Sequence, residues 1–571
     1  MAAPLDLTIC DPRARVIALE HGLWITSGLD EPAAQRLEKS PCGDVAAALC
    51  RHQGDATIIG VGLAGGVPNA LSAWRGLTSG HDVFYRITPD GRVAVSDHFR
   101  NILSGVPPAE RGPDDHVLCD HFLFRTVPGE NTFCRSVKRI ARGGTIHIDF
   151  AGCRIGKGRF DRVEADPVPG TLEDHLERLD QALESVLARW RAAPRVAALF
   201  SGGVDSTLMQ SYLDGSVPAL FYELPWYSEA FESNYVARAA DLLGISVEKH
   251  PVELERYLDI LEAAIDATAL PPPHLQLTLY PSLLRLPYET FLFGEQADAL
   301  FGIELRRARL ASPFTSSTGR GLLKIAGSLL TPRARRFAQI REAAARLAEP
   351  LHSLDGYAAQ FGTYTDRPLL NAVFGESEVR SRLGARLDEA LAVLPPTSAG
   401  SGFYQHVELA QMIDYLCEDI LASFRHLAHA FGRSLVTPFT TRPLLDAAWS
   451  IPAKQRYLSG LEPKHLLKRL LQRRVPGYPV KQRKGYTHVP FNDLDLHGPL
   501  STVWQHYDVP EPFAGAHRAA LIETPSQMTW NAITLAIWQA RVQSNPHLLP
   551  VPGSRAFRFD SESLVPAQRD V

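Results

Sequence analysis

The stretch Leu199-Phe-Ser-Gly-Gly-Val-Asp-Ser-Thr207 decides the fold of the C-terminal half of this chain. A run that is apolar after its first residue, Arg195–Phe200, leads directly into two glycines, and a helix is predicted from about Asp205. Glycines let the backbone turn tightly and approach a ligand closely. The start of a helix offers unpaired N–H groups and a positive dipole end. The stretch therefore predicts a loop that binds phosphate.

Side chains in this loop extend the prediction. Its hydroxyl groups can donate hydrogen bonds to an anion, and the carboxylate of Asp205 can hold Mg²⁺ beside phosphates. The pattern GxxxxGK[ST] is absent, which excludes a P-loop kinase or GTPase. The candidate nucleotide-binding residues of the loop are Ser201, Gly202, Gly203, Asp205, Ser206 and Thr207.

Strand and helix patterns alternate on both sides of the loop. Thr171-Leu-Glu-Asp174 resembles a capping box, and apolar residues from Leu172 to Trp190 recur at helical spacing. Alternation of this kind predicts an α/β fold with a doubly wound parallel sheet and a crevice at the carboxyl ends of its strands. Further strands are predicted at Val217–Tyr222, Ile245–His250 and Thr290–Phe293, and residues from about Gln405 to Ala430 are predicted to be helical.

The sequence up to about Phe150 is instead rich in short β-branched and aromatic runs bounded by turn residues. The segment Gly156–Gly170 is rich in Gly, Pro and charge, which is typical of a linker. We therefore predict a β-rich domain over residues 1–165 and a second domain over residues 166–571. The N-terminal strands are predicted at Ala56–Leu63, Asp82–Thr88, Arg92–Ser96 and Thr145–Phe150.

Composition narrows the class of protein. The 571 residues are 45% hydrophobic, which is enough for two cores, and the net charge of −4 carries no nucleic-acid signature. No apolar run approaches a membrane span, and the start resembles no signal peptide. Seven cysteines without a CxxC pair favour reduced thiols over disulfides or a metal cluster. These features predict a cytoplasmic protein.

The string S-G-G-x-D-S at a strand-to-helix junction resembles the signature of PP-loop enzymes. That resemblance implies cleavage of ATP between its α and β phosphates, through an acyl-adenylate. Phe293-Gly-Glu-Gln-Ala-Asp-Ala-Leu-Phe-Gly302 is similar to the G-E-G-A-D-E-L-F-G-G string of asparagine synthetases, and Gln296 and Ala299 depart from it. The resemblance implies that Asp205 and Asp298 hold Mg²⁺. Glu295 is a candidate base for the attacking amine, and a structural role for it stays open.

Three later elements follow the order of that family. Val436–Thr441 resembles its R-x-P-F-L-D element, Lys464–Lys468 its K-x-x-L-R element and Lys481–Tyr486 its R-x-K-x-G-[FY] element. In the last, Arg483 stands in the strict lysine position and Lys484 follows, so either is a candidate for the catalytic cation that stabilises charge on pyrophosphate. Lys464 and Arg469 are further candidate phosphate partners.

In the N-terminal half, Arg92–Leu103 and Thr132–Gly144 resemble the later strands of the family's glutaminase-like domain, which has an Ntn-type αββα fold. Glutamine-dependent members need a cysteine as the first residue after Met removal, whereas this sequence has Ala2 and Ala3 there. We therefore expect a domain without its nucleophile, an enzyme without glutaminase activity, and an attacking amine that belongs to the substrate.

Family members without this cysteine include β-lactam synthetases, carbapenam synthetases and lasso peptide cyclases. The basic stretch Arg306–Arg346 has ten Lys or Arg against one acid. This feature resembles the lasso cyclases more than the other two branches. That branch implies a macrolactam synthetase that joins an Asp or Glu side chain of a precursor peptide to its N-terminal amine. Its partners would be a leader-binding protein and a leader peptidase.

Two other functions stay open: a β-lactam-type or other amide ligase acting on a small molecule, and a non-catalytic scaffold. His426 and His429 are spaced i, i+3 on a predicted helix, and without a third ligand we interpret them as packing or capping residues.

Overall fold

The computed structural model describes residues 5–151, 154–164, 167–223, 229–251, 254–273, 283–302, 325, 366–396, 403–417, 419–459, 462–481, 494–495, 497–523, 525–557, 559 and 569–570. The N-terminal half contains ten strands and four α-helices in these ranges. The strands are β1 (Leu5–Ile9), β2 (Arg15–Leu19), β3 (Gly22–Ser27), β4 (Thr57–Ala64), β5 (Val67–Arg75), β6 (Phe84–Ile87), β7 (Val93–Ser96), β8 (Lys138–Arg139), β9 (Gly144–Asp149) and β10 (Arg154–Arg159). The helices are α1 (Glu31–Lys39), α2 (Gly43–Gln53), α3 (Phe99–Ser104) and α4 (Asp115–Phe124).

These strands form two sheets that pack face to face. One has the order β10-β9-β5-β4-β3-β2 and is antiparallel throughout, and the other contains β1, β7, β6 and β8. Their facing side chains, including Leu7, Ile25 and Val61, share one buried core. Helices α1 and α2 cover one outer face and α3 the other. The layers therefore run helix, sheet, sheet, helix, while assignment of this half to the Ntn type stays a prediction.

The C-terminal half is built on a five-stranded parallel sheet. Its strands are β11 (Val196–Leu199), β12 (Ala219–Glu223), β13 (Val247–Pro251), β14 (Thr290–Leu292) and β15 (Ser434–Val436), in the order β13-β12-β11-β14-β15. Along β11 the buried side chains alternate, so that Ala197 and Leu199 enter one core while Val196 and Ala198 enter another. The predicted parallel sheet with cores on both faces is confirmed.

Helices surround this sheet. Helix α5 (Leu172–Arg191) starts with a capping box between Thr171 and Asp174 and buries the predicted face that ends at Trp190, which confirms both predictions. The other α-helices of the half are α6 (Val204–Tyr212), α7 (Glu229–Leu243), α8 (Tyr257–Thr268), α9 (Ala297–Phe301), α10 (Arg367–Phe374), α11 (Glu376–Leu391), α12 (Phe403–Cys417), α13 (Asp419–Ala430), α14 (Arg442–Trp449), α15 (Ala453–Tyr457), α16 (His465–Arg474), α17 (Val503–His506), α18 (Arg518–Ile522) and α19 (Gln527–Trp538).

The segment predicted as a linker, Gly156–Gly170, is only partly a linker. Its beginning belongs to β10, the edge strand that pairs with β9, because an exposed edge strand needs no apolar pattern. The rest is anchored rather than loose: Asp161 is buried, accepts a hydrogen bond from Leu77 N and pairs with Arg442 Nη1 at 2.6 Å.

The end of the chain returns to the N-terminal half. The short strands β16 (Leu458–Ser459) and β17 (Glu462–Pro463) form a hairpin, after which β18 (Arg555–Phe557) pairs antiparallel with β1, and β19 (Arg569–Asp570) pairs with β18. One buried core includes Phe99 and Phe122 of the N-terminal half together with Leu261 and Trp530 of the C-terminal half. The two halves therefore share both a sheet and a core.

No described helix is both long and apolar enough to cross a membrane. Five of the described cysteines are free thiols: Cys10, Cys42, Cys50, Cys119 and Cys134.

Candidate active site

The predicted phosphate loop lies between β11 and α6, at the carboxyl edge of the central strand. Gly202 has φ +65°, a conformation that L side chains rarely adopt. A Cβ atom at this position would lie 2.8 Å from the backbone of Tyr235 on α7. Position 202 therefore needs glycine for two independent reasons, backbone conformation and space.

Helix α6 starts at this loop, and its N-cap residue, Gly203, has no side chain to cap the first turn. The hydroxyl of Ser206 instead organises the loop, accepting from Ser201 N at 3.2 Å and lying 3.2 Å from Ser201 Oγ. Thr207 is fully buried, so the structure places its hydroxyl in the interior behind the loop. The N–H groups at the start of a helix provide the donors that an anion requires.

Tyr478 fixes the loop from the other side. Its buried hydroxyl donates to the carbonyl oxygen of Gly202 at 2.6 Å, and burial raises its pKa to about 12, so it remains a donor. Tyr478 was not predicted from the sequence. It lies shortly after α16, and its neighbours in the sequence do not indicate a contact with residue 202.

Strand β14 brings the second motif against the loop. Because β14 pairs with β11, Gly294 comes within 3.6 Å of Asp205 and Ser206, measured from the Cβ that it lacks. Glu295 follows and is half-buried, and helix α9 then presents Asp298, whose side chain is 73% exposed. The two motifs that are separated in sequence thus meet at one edge of the sheet.

Lys464 completes the cluster. Its Nζ lies 2.7 Å from Asp205 Oδ2 and 2.7 Å from Asp298 Oδ1. Burial alone would lower the pKa of Lys464, but the two carboxylates raise it above its ordinary value of 10.5, so the side chain is a fixed cation. We call these three residues the Lys464 cluster.

The backbone of Lys464 is also unusual. It has φ +55° and precedes the first turn of α16, a left-handed conformation that is costly for a side chain other than glycine. Helix α16 packs closely on α6, where Arg474 bonds Ser211 O at 3.0 Å and lies over the ring of Tyr212. This packing holds the lysine where the phosphate loop and α9 converge.

The cluster fits a magnesium ion. Carboxylate oxygens are the ligands that Mg²⁺ prefers, and Asp298 is open to solvent on the side of the loop. The ammonium of Lys464 already links the two carboxylates as a cation. Asp205 and Asp298 would therefore hold the ion once Lys464 turns toward phosphate, and the identity of these ligands stays a prediction.

The remaining candidates are placed as follows. Arg469 lies on an exposed position of α16 and takes no part in the Lys464 cluster. Arg483 and Lys484 lie outside the described residues, as does nearly all of the basic stretch Arg306–Arg346.

A parallel sheet with a glycine loop, a helix start and a paired acid–lysine cluster at one edge is typical of nucleotide-binding α/β proteins. The family model described as asparagine synthase matches residues 178–523, more than half of the chain and all of this site. The chain belongs to the asparagine synthase family, which implies an ATP-dependent ligase that forms amide bonds. No curated protein matches the sequence.

Proposed function

We propose that this ligase is an AMP-forming macrolactam synthetase of the lasso peptide cyclase kind. It would activate an Asp or Glu side chain of a precursor peptide with ATP and close a ring through the N-terminal amine of the same peptide. The observation that carries the adenylation chemistry is the Lys464 cluster, which lies beside the open start of α6.

The reaction has two steps. A carboxylate oxygen of the peptide attacks the α-phosphorus of ATP, the bond between the α-phosphorus and the bridging oxygen breaks, and pyrophosphate leaves. The neutral amine then attacks the acyl carbon, AMP leaves, and the amine loses a proton. Glu295, which follows Gly294 and is half-buried, is the proposed acceptor of that proton.

The protein's own groups act mainly by neutralising the negative charge of the phosphates. The N–H groups at the start of α6 bind phosphate oxygens. The ammonium group of Lys464 stabilises the negative charge that builds on the leaving pyrophosphate. Asp205 and Asp298 would hold Mg²⁺, which would neutralise further charge on the triphosphate. Lys484 or Arg483 remains the proposed second cation.

A substrate amine is favoured because the first cysteine is not an activated nucleophile. Cys10 is buried, its backbone N–H donates to Asp97 Oδ1 at 2.7 Å, and burial followed by the charge of Asp97 raises the pKa of its thiol. Burial also raises the pKa of Cys119 to about 12. Thiols that stay protonated do not release ammonia from glutamine.

A peptide substrate is favoured by the basic stretch Arg306–Arg346, whose surplus of positive charge would attract a peptide that carries free carboxylates. A leader-binding protein and a leader peptidase would then be required, since the ring forms through the amine that leader removal exposes.

The test uses the purified chain, Mg²⁺-ATP, the precursor peptide encoded beside the gene and its leader peptidase. We expect the core peptide to lose the mass of one water while AMP and pyrophosphate form in equal amounts. Lys464→Gln should abolish both products. Lys454→Gln, which changes an exposed lysine of α15, should leave both unchanged.

Other outcomes overturn the proposal in distinct ways. AMP formation with small amino-acid-like carboxylates, and an unchanged peptide, would identify a small-molecule ligase. Absence of AMP with every substrate, from a folded protein, would indicate a scaffold.

A further inference from the structure

A second group of chemically reactive side chains lies between the two halves, away from the Lys464 cluster. Asp11 follows β1, His81 precedes β6, and His429 lies on α13 of the C-terminal half. One carboxylate oxygen and one nitrogen from each ring all lie within 4.8 Å of one another. We call this group the Asp11 cluster.

Each residue of the Asp11 cluster has one polar side-chain atom that is buried and unsatisfied among the described residues. Side-chain exposure is 2% for Asp11, 14% for His81 and 5% for His429. Asp11 Oδ2, His81 Nδ1 and His429 Nε2 have no hydrogen-bond partner among the described residues. A buried polar atom without a partner is destabilising, so three that converge on one point require an explanation.

The geometry is close to that of a metal site. Asp11 lies 3.6 Å from His81 Nδ1 and 4.0 Å from His429 Nε2, and the two rings are stacked with centroids 5.8 Å apart. Ligands around a tetrahedral zinc ion, at about 2.0–2.1 Å from it, lie roughly 3.3 Å apart. Small rotations of the side chains would therefore close the site.

We propose that Asp11, His81 and His429 bind a divalent transition-metal ion of the zinc class. Two imidazoles and one carboxylate are a donor set that such ions favour over Mg²⁺ or Ca²⁺.

Three protein ligands leave a coordination position open, and the structure provides space for it. Asp11 and His81 line a cavity of about 670 Å³ between the halves. Arg13 and Arg189 also line this cavity, so water or a small anion is the expected fourth ligand. Its described lining includes no member of the Lys464 cluster, which separates this site from the ATP site.

Two neighbouring groups on the same helix already have acidic partners. Arg425, one helical turn before His429, bonds Asp55 Oδ2 at 3.0 Å. His426 is not part of the Asp11 cluster, and its Nε2 lies within hydrogen-bond distance, 2.9 Å, of Asp82 Oδ2. His426 and His429 therefore do not act as an i, i+3 pair, and only His429 belongs to the proposed site.

The direct test measures metal content. The purified chain is stripped with EDTA, incubated with ZnCl₂ and dialysed, and we expect about one zinc ion per chain. His429→Phe, which keeps a planar ring for packing, should reduce zinc to less than about a tenth of that value. His52→Phe makes the same change at a histidine that lines the cavity outside the cluster, and it should retain zinc.

A second measurement distinguishes lost ligation from lost folding. Zinc should raise the Tm of the wild-type chain and of His52→Phe, because the ion joins two halves, and should leave the Tm of folded His429→Phe unchanged. Zinc content below a tenth of an ion in the wild-type chain, or equal content in both variants, would overturn the proposal. Neither readout depends on ligase activity.

Discussion

The ammonium group of Lys464 lies 2.7 Å from the carboxylate of Asp205, across 259 positions of sequence. The contact joins the start of α16 to the phosphate loop. Asp298 is bonded at the same distance from the other side, so one lysine stabilises two acids that would otherwise repel each other.

Replacement of this lysine should be costly for catalysis. We expect Lys464→Gln to reduce the rate of AMP formation by about 100-fold or more, since a cation at the developing charge is lost. Circular dichroism should show an intact fold. Activity within about threefold of wild type would show that the lysine only balances charge.

The same variant tests the magnesium ligands. Because an ammonium group and Mg²⁺ compete for the same carboxylates, Mg²⁺ without nucleotide should raise the Tm of Lys464→Gln more than that of the wild type. An equal shift in both proteins would place the ion elsewhere. Addition of Asp298→Asn to the variant should remove the extra shift.

Gly202 allows strain and crowding to be measured separately. Gly244 has φ +67°, close to the +65° of Gly202, but a Cβ there would have nothing within 4 Å. We expect Gly244→Ala to cost about 1 kcal/mol, from conformation alone. Gly202→Ala should lower the Tm further and abolish ATP binding, because the added methyl group meets the backbone of Tyr235. Equal shifts would indicate that α7 moves aside.

Gln296 occupies a position at which the family string has glycine. The backbone conformation at this position explains why glycine is favoured there. It has φ +71° and precedes α9. Gln296→Gly should release about 1 kcal/mol of strain and raise the Tm by about 1–2 °C. Gln296→Ala keeps the strain and should give no such gain. If both variants lose stability equally, the buried side chain of Gln296 contributes more than the strain costs.

Asp495 should make stability depend on pH. Burial raises its pKa from 3.8 to about 7, so the folded chain keeps a proton that the unfolded chain loses. Its contribution to stability is complete below about pH 4 and is lost as the pH rises through 7. Asp495→Asn stays neutral, so its Tm advantage over wild type should grow from pH 4 to 7 and then level off. A constant difference would contradict the raised pKa.

The patterns in sequence predicted the parallel sheet well because buried parallel strands are short apolar runs. The strand Val67–Arg75 was not predicted, since Pro68, Asn69 and Ser72 interrupt its pattern. Its pairing with β4 and β9 supplies the stability that its own residues do not.

The sequence predicted individual residues of the candidate site but not which of them are in contact. Local motifs revealed Asp205 and Asp298, but Lys464 was only a secondary phosphate candidate because spacing along the chain carries no information on a contact between α16 and α9. Asp11 and His81 were not selected for the same reason. Their partner, His429, comes from the other half of the chain.

The pairing of β1 with β18 joins the first described strand to one of the last. A gene that lost its N-terminal half would leave β18 without its partner strand and expose apolar surface around Trp530 to water. The N-terminal half therefore supplies structural support to the C-terminal half through one strand pairing and one shared core, independently of any chemistry of its own.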